Sequence, residues 1–94
     1  MATSFILPAD HPVFAGHFPA HPIVPGALLL DEVVRLASAQ AGRTQWMLRT
    51  AKFVHPAGPG QALTVHLDTT DSGALDFRIT AGDTLIAAGT LQAA

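Results

Sequence analysis

Alternating apolar and polar residues mark the second half of the chain and predict a series of β-strands. Leu63, Val65 and Leu67 alternate with polar positions, and the same period of two continues from Leu75 to Ile79. Successive side chains on a strand point to opposite faces, so this pattern is typical of a sheet with one buried face. The predicted strands are 44–55, 63–68, 75–80 and 84–91, and an apolar run over 3–7 predicts a first strand.

A helix is predicted between the first strand and the others. It begins at Ala27 and ends at about Ala41, because this stretch has no proline or glycine and Gly42 supplies a C-terminal stop. Its residues are apolar almost all round, which is typical of a buried helix. The exception is a narrow polar stripe that includes Asp31 and Arg35, four positions apart and therefore on one face.

Short turns rich in glycine, proline and aspartate separate the later strands, at 56–60, 70–73 and 81–83. Strands joined in this way are predicted to pair consecutively, as an antiparallel meander. The predicted fold class is therefore α+β, with a curved antiparallel sheet of about five strands wrapped around one long apolar helix. Residues 1–94 are expected to form a single domain.

Composition and charge narrow the function classes. The chain has 94 residues, no cysteine and a net charge of -2, with only five lysines and arginines. Disulfides and cysteine-based zinc sites are excluded, and a basic surface for nucleic acid or membrane is not expected. The first residues do not resemble a secretory signal and no apolar stretch could span a bilayer, so a cytoplasmic protein is expected. A domain this small buries a modest core, so self-association is expected as well.

The most informative segment is the loop that leads into the helix. Four prolines between Asp10 and Gly26 exclude regular helix or central strand there, and a long ordered loop in a small domain is usually functional. His17 lies in this loop and Asp31 follows in the helix, so a base and an acid flank a helix start. The helix lacks a capping side chain, so its first backbone N–H groups, beginning at Gly26, are available to a ligand oxygen.

These residues also have a purely structural interpretation. His17 alone would be a loop histidine bonded to a neighbouring carbonyl. Asp31 would be an acid in the first helical turn, favoured by the helix dipole and paired with Arg35. Glu32, beside Asp31, is a reserve candidate for the acid.

The remaining histidines are assigned no chemical role. A metal site that joins His11, His17 and His21 is not expected, because the prolines prevent a helical pair of histidine ligands. His55 and His66 are expected on strand surfaces. No metal site is therefore predicted.

The loop and the helix start carry a resemblance to a known family. The sequence GHFP at 16–19, Pro-Ile at 22–23, Pro-Gly at 25–26 and Asp31 resemble the signature of the 3-hydroxyacyl-acyl-carrier-protein dehydratases of the FabA and FabZ type. The sequence AKF at 51–53, with Pro56 and Pro-Gly at 59–60, is similar to the strand and turn after the helix in that family. The resemblance covers nearly the whole chain from Phe14 onward. It implies the hot-dog fold.

The same resemblance implies how the protein assembles. A homodimer is expected in which two sheets join edge to edge, with two active sites at the interface, and His17 of one subunit works with Asp31 of the other. Relatives usually carry more chain before the signature, so this sequence resembles a compact member with a shortened N-terminus, for which a higher oligomer stays open. The aspartate at position 31 resembles the FabA branch rather than the FabZ branch, but it does not by itself predict double-bond isomerisation.

Dehydration of a 3-hydroxyacyl thioester to the trans-2-enoyl thioester needs one base and one acid. His17 is expected to remove the proton at C2, and the backbone N–H of Gly26 to polarise the thioester carbonyl. Asp31 is expected to supply or relay a proton to the departing hydroxyl, as a buried carboxyl or through a water. The residues expected to bind substrate are Phe14, Phe18, Ile23, Val24, Pro25 and Ala27. No cofactor or metal is required.

The expected substrate is an acyl chain on acyl carrier protein or coenzyme A, in fatty acid or polyketide-like biosynthesis. Two alternatives stay open on the same fold. The first is an acyl thioesterase in which Asp31 activates water. The second is a non-catalytic subunit that binds the acyl carrier or the acyl chain.

Overall fold

The structure, a computed structural model, describes residues 2–8, 10–12 and 24–94 of the chain. Five strands in this part of the chain form one antiparallel sheet. The elements in chain order are β1 (Ala2–Ile6), α1 (Gly26–Ala41), β2 (Trp46–Phe53), β3 (Ala62–Thr69), β4 (Leu75–Ala81) and β5 (Thr84–Ala93). The strands and the helix predicted from the sequence are confirmed, with bounds that differ by at most two residues.

Both ends of α1 follow from the residues that flank it. Pro25 precedes the helix with φ -59° and ψ 141°, and its carbonyl accepts bonds from the N–H groups of Leu28 and Leu29 at 3.0 and 3.4 Å. Gly42 ends the helix in the left-handed region at φ 69°, and its N–H donates to the Ser38 carbonyl at 2.9 Å. The predicted glycine stop is thus confirmed, because a residue without Cβ adopts this conformation without strain.

α1 is buried on one face rather than all round. Leu29, Val33, Leu36 and Ala37 are buried, whereas Leu28, Leu30 and Val34 are half-buried and pack at the margin of the core. The buried face meets the alternating apolar residues of the sheet, which are Leu63, Val65, Leu67, Leu75, Phe77, Ile79, Ala87 and Leu91. The expectation of a fully buried helix is wrong for the single chain, because one sheet can cover only one side of a helix.

The sheet order is β1-β3-β4-β5-β2, which corrects the predicted meander. β3, β4 and β5 pair consecutively, but β2 pairs with β5, and β3 pairs with β1. The connection over 54–61 contains two prolines and carries the chain from β2, at one edge of the sheet, to β3, which lies next to the edge strand β1 on the far side. Alternation identifies a strand but not its neighbour, so this crossover was not predicted.

β2 is hydrogen-bonded to α1 and lies very close to β5. The indole N–H of Trp46 donates to the Ser38 hydroxyl of α1 at 3.0 Å. Further along, β2 lies so close to β5 that a Cβ on Gly89 would stand 2.6 Å from Cζ of Phe77 and would also collide with the Thr50 carbonyl. Glycine is therefore required at this point of closest approach.

The two edge strands differ in length and exposure. β1 has five residues and β2 has eight, of which seven are exposed. Met47 and Leu48 of β2 are 50% and 44% exposed, and their strand presents unpaired backbone groups along its outer edge. Among the described residues, no helix is long and apolar enough to cross a membrane.

Candidate functional site

A cavity of about 450 Å³ opens at the N-terminus of α1. We call it the entrance cavity. Its walls come from the start of the helix and from the chain that leaves β2, and they are lined by Val24, Gly26, Leu29, Phe53, Val54, His55, Pro56 and Ala57. Seven of these eight residues are apolar or glycine, so the cavity suits an apolar ligand.

Backbone hydrogen bonds hold the two walls together. The N–H groups of Val54 and His55 both donate to the Ile86 carbonyl of β5, at 2.8 and 3.3 Å. On the opposite side, the N–H of Val24 donates to the Ala57 carbonyl at 2.7 Å, which joins the crossover to the residue before the helix cap. Backbone hydrogen bonds therefore fix the positions of both walls of the cavity.

Gly26 is the first residue of α1 and lies against the ring of Phe53. A Cβ at Gly26 would stand 2.8 Å from Cζ of that ring, so a side chain at position 26 would displace the ring. The first intrahelical bonds are made by Leu28 and Leu29, and Pro25 contributes no side-chain cap. The amide groups of Gly26 and Ala27 precede the first acceptor that the helix itself can offer, so they are available to an oxygen at the mouth of the cavity.

Asp31 lies in the second turn of α1, on its exposed surface, and does not line the entrance cavity of the single chain. The alternative that paired Asp31 with Arg35 is wrong. Arg35 instead forms an ion pair with Glu32, in which Nε donates to Oε2 at 3.2 Å and a second guanidinium nitrogen bonds Oε1. This hydrogen bond and the charge of Glu32 raise the pKa of Arg35. Glu32 is thereby occupied and less suited to the role of reserve acid.

The structure brings only part of the predicted site together. Val24 and Gly26 line the entrance cavity and Pro25 caps the helix beside it, whereas Ala27 is exposed and outside the lining. The other predicted site residues lie outside the described part of the chain, and they are Phe14, His17, Phe18 and Ile23. Their roles stay predictions.

Sequence reasoning missed the wall formed by 53–57. The signal was present, because AKF at 51–53 and Pro56 belong to the second patch of the family resemblance. It pointed to no particular chemistry, however, and His55 was expected on a strand surface. His55 lies beyond the end of β2 and is one of the residues that line the cavity. His66 is half-buried on β3 and bonds the Thr80 hydroxyl through Nε2 at 3.3 Å.

A second opening, of about 550 Å³, lies over the sheet. We call it the sheet groove. Its exposed charged residues alternate with the buried residues of β3 and β4, which places them on the sheet face opposite α1. The groove is lined by Thr50, Lys52, Asp68, Asp76, Phe77, Arg78, Ala88, Gly89 and Thr90. Within 2–8, 10–12 and 24–94, no cluster of three side chains has the composition of a metal site.

Known proteins resemble this chain in both sequence and fold. The family model for ApeI-like proteins, described as ApeI dehydratase, matches residues 1–90. The 3-hydroxyacyl-acyl-carrier-protein dehydratase FabZ of Gluconobacter oxydans is 36% identical over 70 residues, which is 63% of this chain and 41% of that protein. The FabZ of Bartonella henselae is 37% identical over 68 residues, which is 62% of this chain and 44% of that protein. The chain thus spans less than half the length of these curated relatives.

Solved structures share the fold over almost the entire chain. A chain of the dehydratase heterocomplex ApeI:P from Xenorhabdus doucetiae matches with a TM-score of 0.77 and 26% identity, over 97% of this chain and 83% of that chain. A mutant of the fluoroacetyl-CoA-specific thioesterase FlK matches with a TM-score of 0.62 and 17% identity, over 97% of this chain and 84% of that chain. The second likeness concerns the fold alone. Together they confirm the hot-dog fold implied by the sequence resemblance.

Proposed function

The chain belongs to the ApeI-like family of dehydratases, and from this membership we propose that it removes water from a 3-hydroxyacyl thioester to give the trans-2-enoyl thioester. The observation that carries the proposal is the entrance cavity, in which an apolar enclosure meets the start of α1, where no side chain bonds the first N–H groups. An acyl chain fits the apolar walls, and its thioester carbonyl oxygen fits the free N–H groups. The substrate is carried on acyl carrier protein or coenzyme A, whose pantetheine arms are the same.

The amide N–H of Gly26 polarises the thioester carbonyl. Charge develops on that oxygen as the C2 proton leaves, and a backbone donor fixed by the helix stabilises it without reorganisation. Removal of one such donor costs about 3 to 4 kcal/mol of transition-state stabilisation in well-studied cases. The Phe53 ring, which lies against Gly26, shields this contact from one side.

His17 removes the C2 proton and Asp31 assists departure of the C3 hydroxyl as water. The C2–H electron pair forms the new double bond, and the C3–O pair leaves with the hydroxyl, which takes up a proton. A neutral imidazole is suited to the first step near neutral pH. Substrate contacts come from Phe14, Phe18 and Ile23 together with Val24 and Pro25 beside the helix start. Ala27, which is exposed and outside the cavity lining, is not among them.

The exposed position of Asp31 supports a site that is completed by a second copy of the chain. Asp31 is exposed on α1 and absent from the cavity lining of its own chain. The open edge of β2 and its exposed Met47 and Leu48 suit a partner strand. We propose a homodimer joined through β2, in which His17 of one subunit works with Asp31 of the other.

The decisive experiment follows enoyl thioester formation and free thiol release in parallel, with a 3-hydroxyacyl thioester as substrate. Enoyl product without thiol is the expected result. Thiol release would favour the thioesterase, and binding without either product would favour the non-catalytic subunit. His17→Ala and Asp31→Asn should each lower the elimination rate by about 10² to 10⁴-fold. His66→Ala, remote from the cavity, is the matched control and should retain the rate.

A further inference from the structure

His55 is the titratable side chain of the entrance cavity among its described lining residues, and the dehydration chemistry gives it no role. It is an exposed residue at the mouth of a cavity whose other walls are apolar side chains and glycine. A ligand that fills this cavity loses water from its polar groups, and each such group must then find a partner. His55 is the side chain placed to supply one.

The backbone of His55 is fixed in place. Its N–H shares the Ile86 carbonyl with the N–H of Val54, and the next bond along the crossover joins Ala57 to Val24. The residue is therefore held between β5 and the start of α1. A side chain on an anchored backbone can act as a preorganised contact, since little entropy is lost when a ligand binds.

One ring nitrogen of His55 is already engaged. Nδ1 lies 3.0 Å from the carbonyl oxygen of Pro56. A carbonyl oxygen can only accept, so Nδ1 must carry the proton and donate it. In the neutral ring this leaves Nε2 without a proton, as a hydrogen-bond acceptor.

We propose that His55 is a substrate-binding residue whose Nε2 accepts a hydrogen bond from an amide N–H of the pantetheine arm. This inference rests on the proposed function, which brings a pantetheine thioester into the cavity. With the thioester carbonyl at Gly26, the first amide of the arm follows the sulfur by two carbons and remains near the cavity mouth. The apolar side chains of the walls offer this N–H no acceptor, whereas the His55 side chain does.

The test compares two variants on two substrates. His55→Phe keeps an aromatic ring but has no acceptor, and His55→Gln restores an acceptor oxygen near the position of Nε2. The substrates are a 3-hydroxyacyl pantetheine thioester and its analogue methylated at the amide nitrogen next to the sulfur arm. With the first substrate, His55→Phe should raise KM about threefold to tenfold at unchanged kcat. His55→Gln should have a KM close to that of the wild type. With the methylated analogue, the two variants should match the wild type.

Several results would overturn the inference. A KM that His55→Phe leaves unchanged, or raises equally for both substrates, would show that His55 makes no bond to this amide. His66→Gln is the matched control, because His66 is also a histidine but bonds Thr80 away from the cavity. If the wild type turns over no thioester, this result contradicts the proposed function but does not test the His55 contact. Calorimetric titration with an unreactive pantetheine thioether, with and without the N-methyl group, then tests the His55 contact directly.

Discussion

The entrance cavity and the sheet groove are openings of similar size, about 450 and 550 Å³, on opposite sides of the same sheet. β2 contributes to both, since Phe53 lines the first and Lys52 the second. The cavity has apolar walls and free amide groups at a helix start, where a fixed dipole acts strongly on a developing charge. The groove has charges of both signs that face water, and interactions between such exposed charges are weak. Chemical environment, and not volume, therefore distinguishes the candidate site.

Gly89→Ala should give the largest effect, because β5 has no room for a side chain at this position. Its Cβ would collide with the Phe77 ring and the Thr50 carbonyl, neither of which can move without disturbing the core or the β2–β5 pairing. We expect a loss of about 2 to 3 kcal/mol in the free energy of unfolding, measured by chemical denaturation. Gly58→Ala is the control, because a Cβ there would meet nothing within 4 Å. Equal stability of the two variants would contradict the packing described at Gly89.

Gly26→Ala should separate stability from activity at the entrance cavity. The new Cβ would meet the end of the Phe53 ring, which is 50% exposed and can turn away, so the unfolding free energy should change by less than about 1 kcal/mol. The displaced ring and the added methyl group narrow the mouth of the cavity. We expect kcat/KM for dehydration to fall about tenfold, equivalent to about 1.4 kcal/mol. Undiminished kcat/KM in a folded variant would show that the methyl group and the displaced ring do not obstruct substrate, and would contradict a substrate path past Gly26.

Asp76→Asn should give the smallest effect and would confirm that the sheet groove is an ordinary solvated surface. Asp76 lies directly opposite Asp68 on the neighbouring strand and accepts a bond from the Thr90 hydroxyl at 2.8 Å. Asparagine keeps an acceptor oxygen and removes the repulsion between like charges. The unfolding free energy should rise by up to about 0.5 kcal/mol at low salt, and the gain should fade as salt is added. A marked loss of dehydration rate would instead give the groove a functional role.

The sequence predicted each described element but not the arrangement of the sheet. A period of two around Phe77 and a glycine after the helix are local signals, and local signals determine strands and helix ends. The pairing of β2 with β5 depends on contacts between residues far apart in the sequence. No local pattern around Thr50 therefore predicts that its carbonyl leaves no room for a Cβ at Gly89. His55 was missed for a similar reason, since its place in the cavity arises from where the crossover runs.

The candidate site could be predicted only to the extent that it belongs to one continuous segment. Gly26 and Val24 are adjacent to the helix start, so their presence in the cavity follows from their position in the chain. Asp31 shows the limit of this reasoning, because helical periodicity gives its face but not what covers that face. Asp31 is exposed in the single chain, and in the proposed dimer the second copy covers it.

The sheet order also determines which strand pairings lose the most chain entropy during folding. β3, β4 and β5 pair through short turns, so these three strands can associate while the rest of the chain is still unordered. β1 must find β3 across 60 positions, as the bond between Ser4 and Thr64 shows. β2 must find β5 with two other strands between them in the chain. The entropy lost on loop closure is therefore greater for the two edge strands of the sheet than for its three central strands.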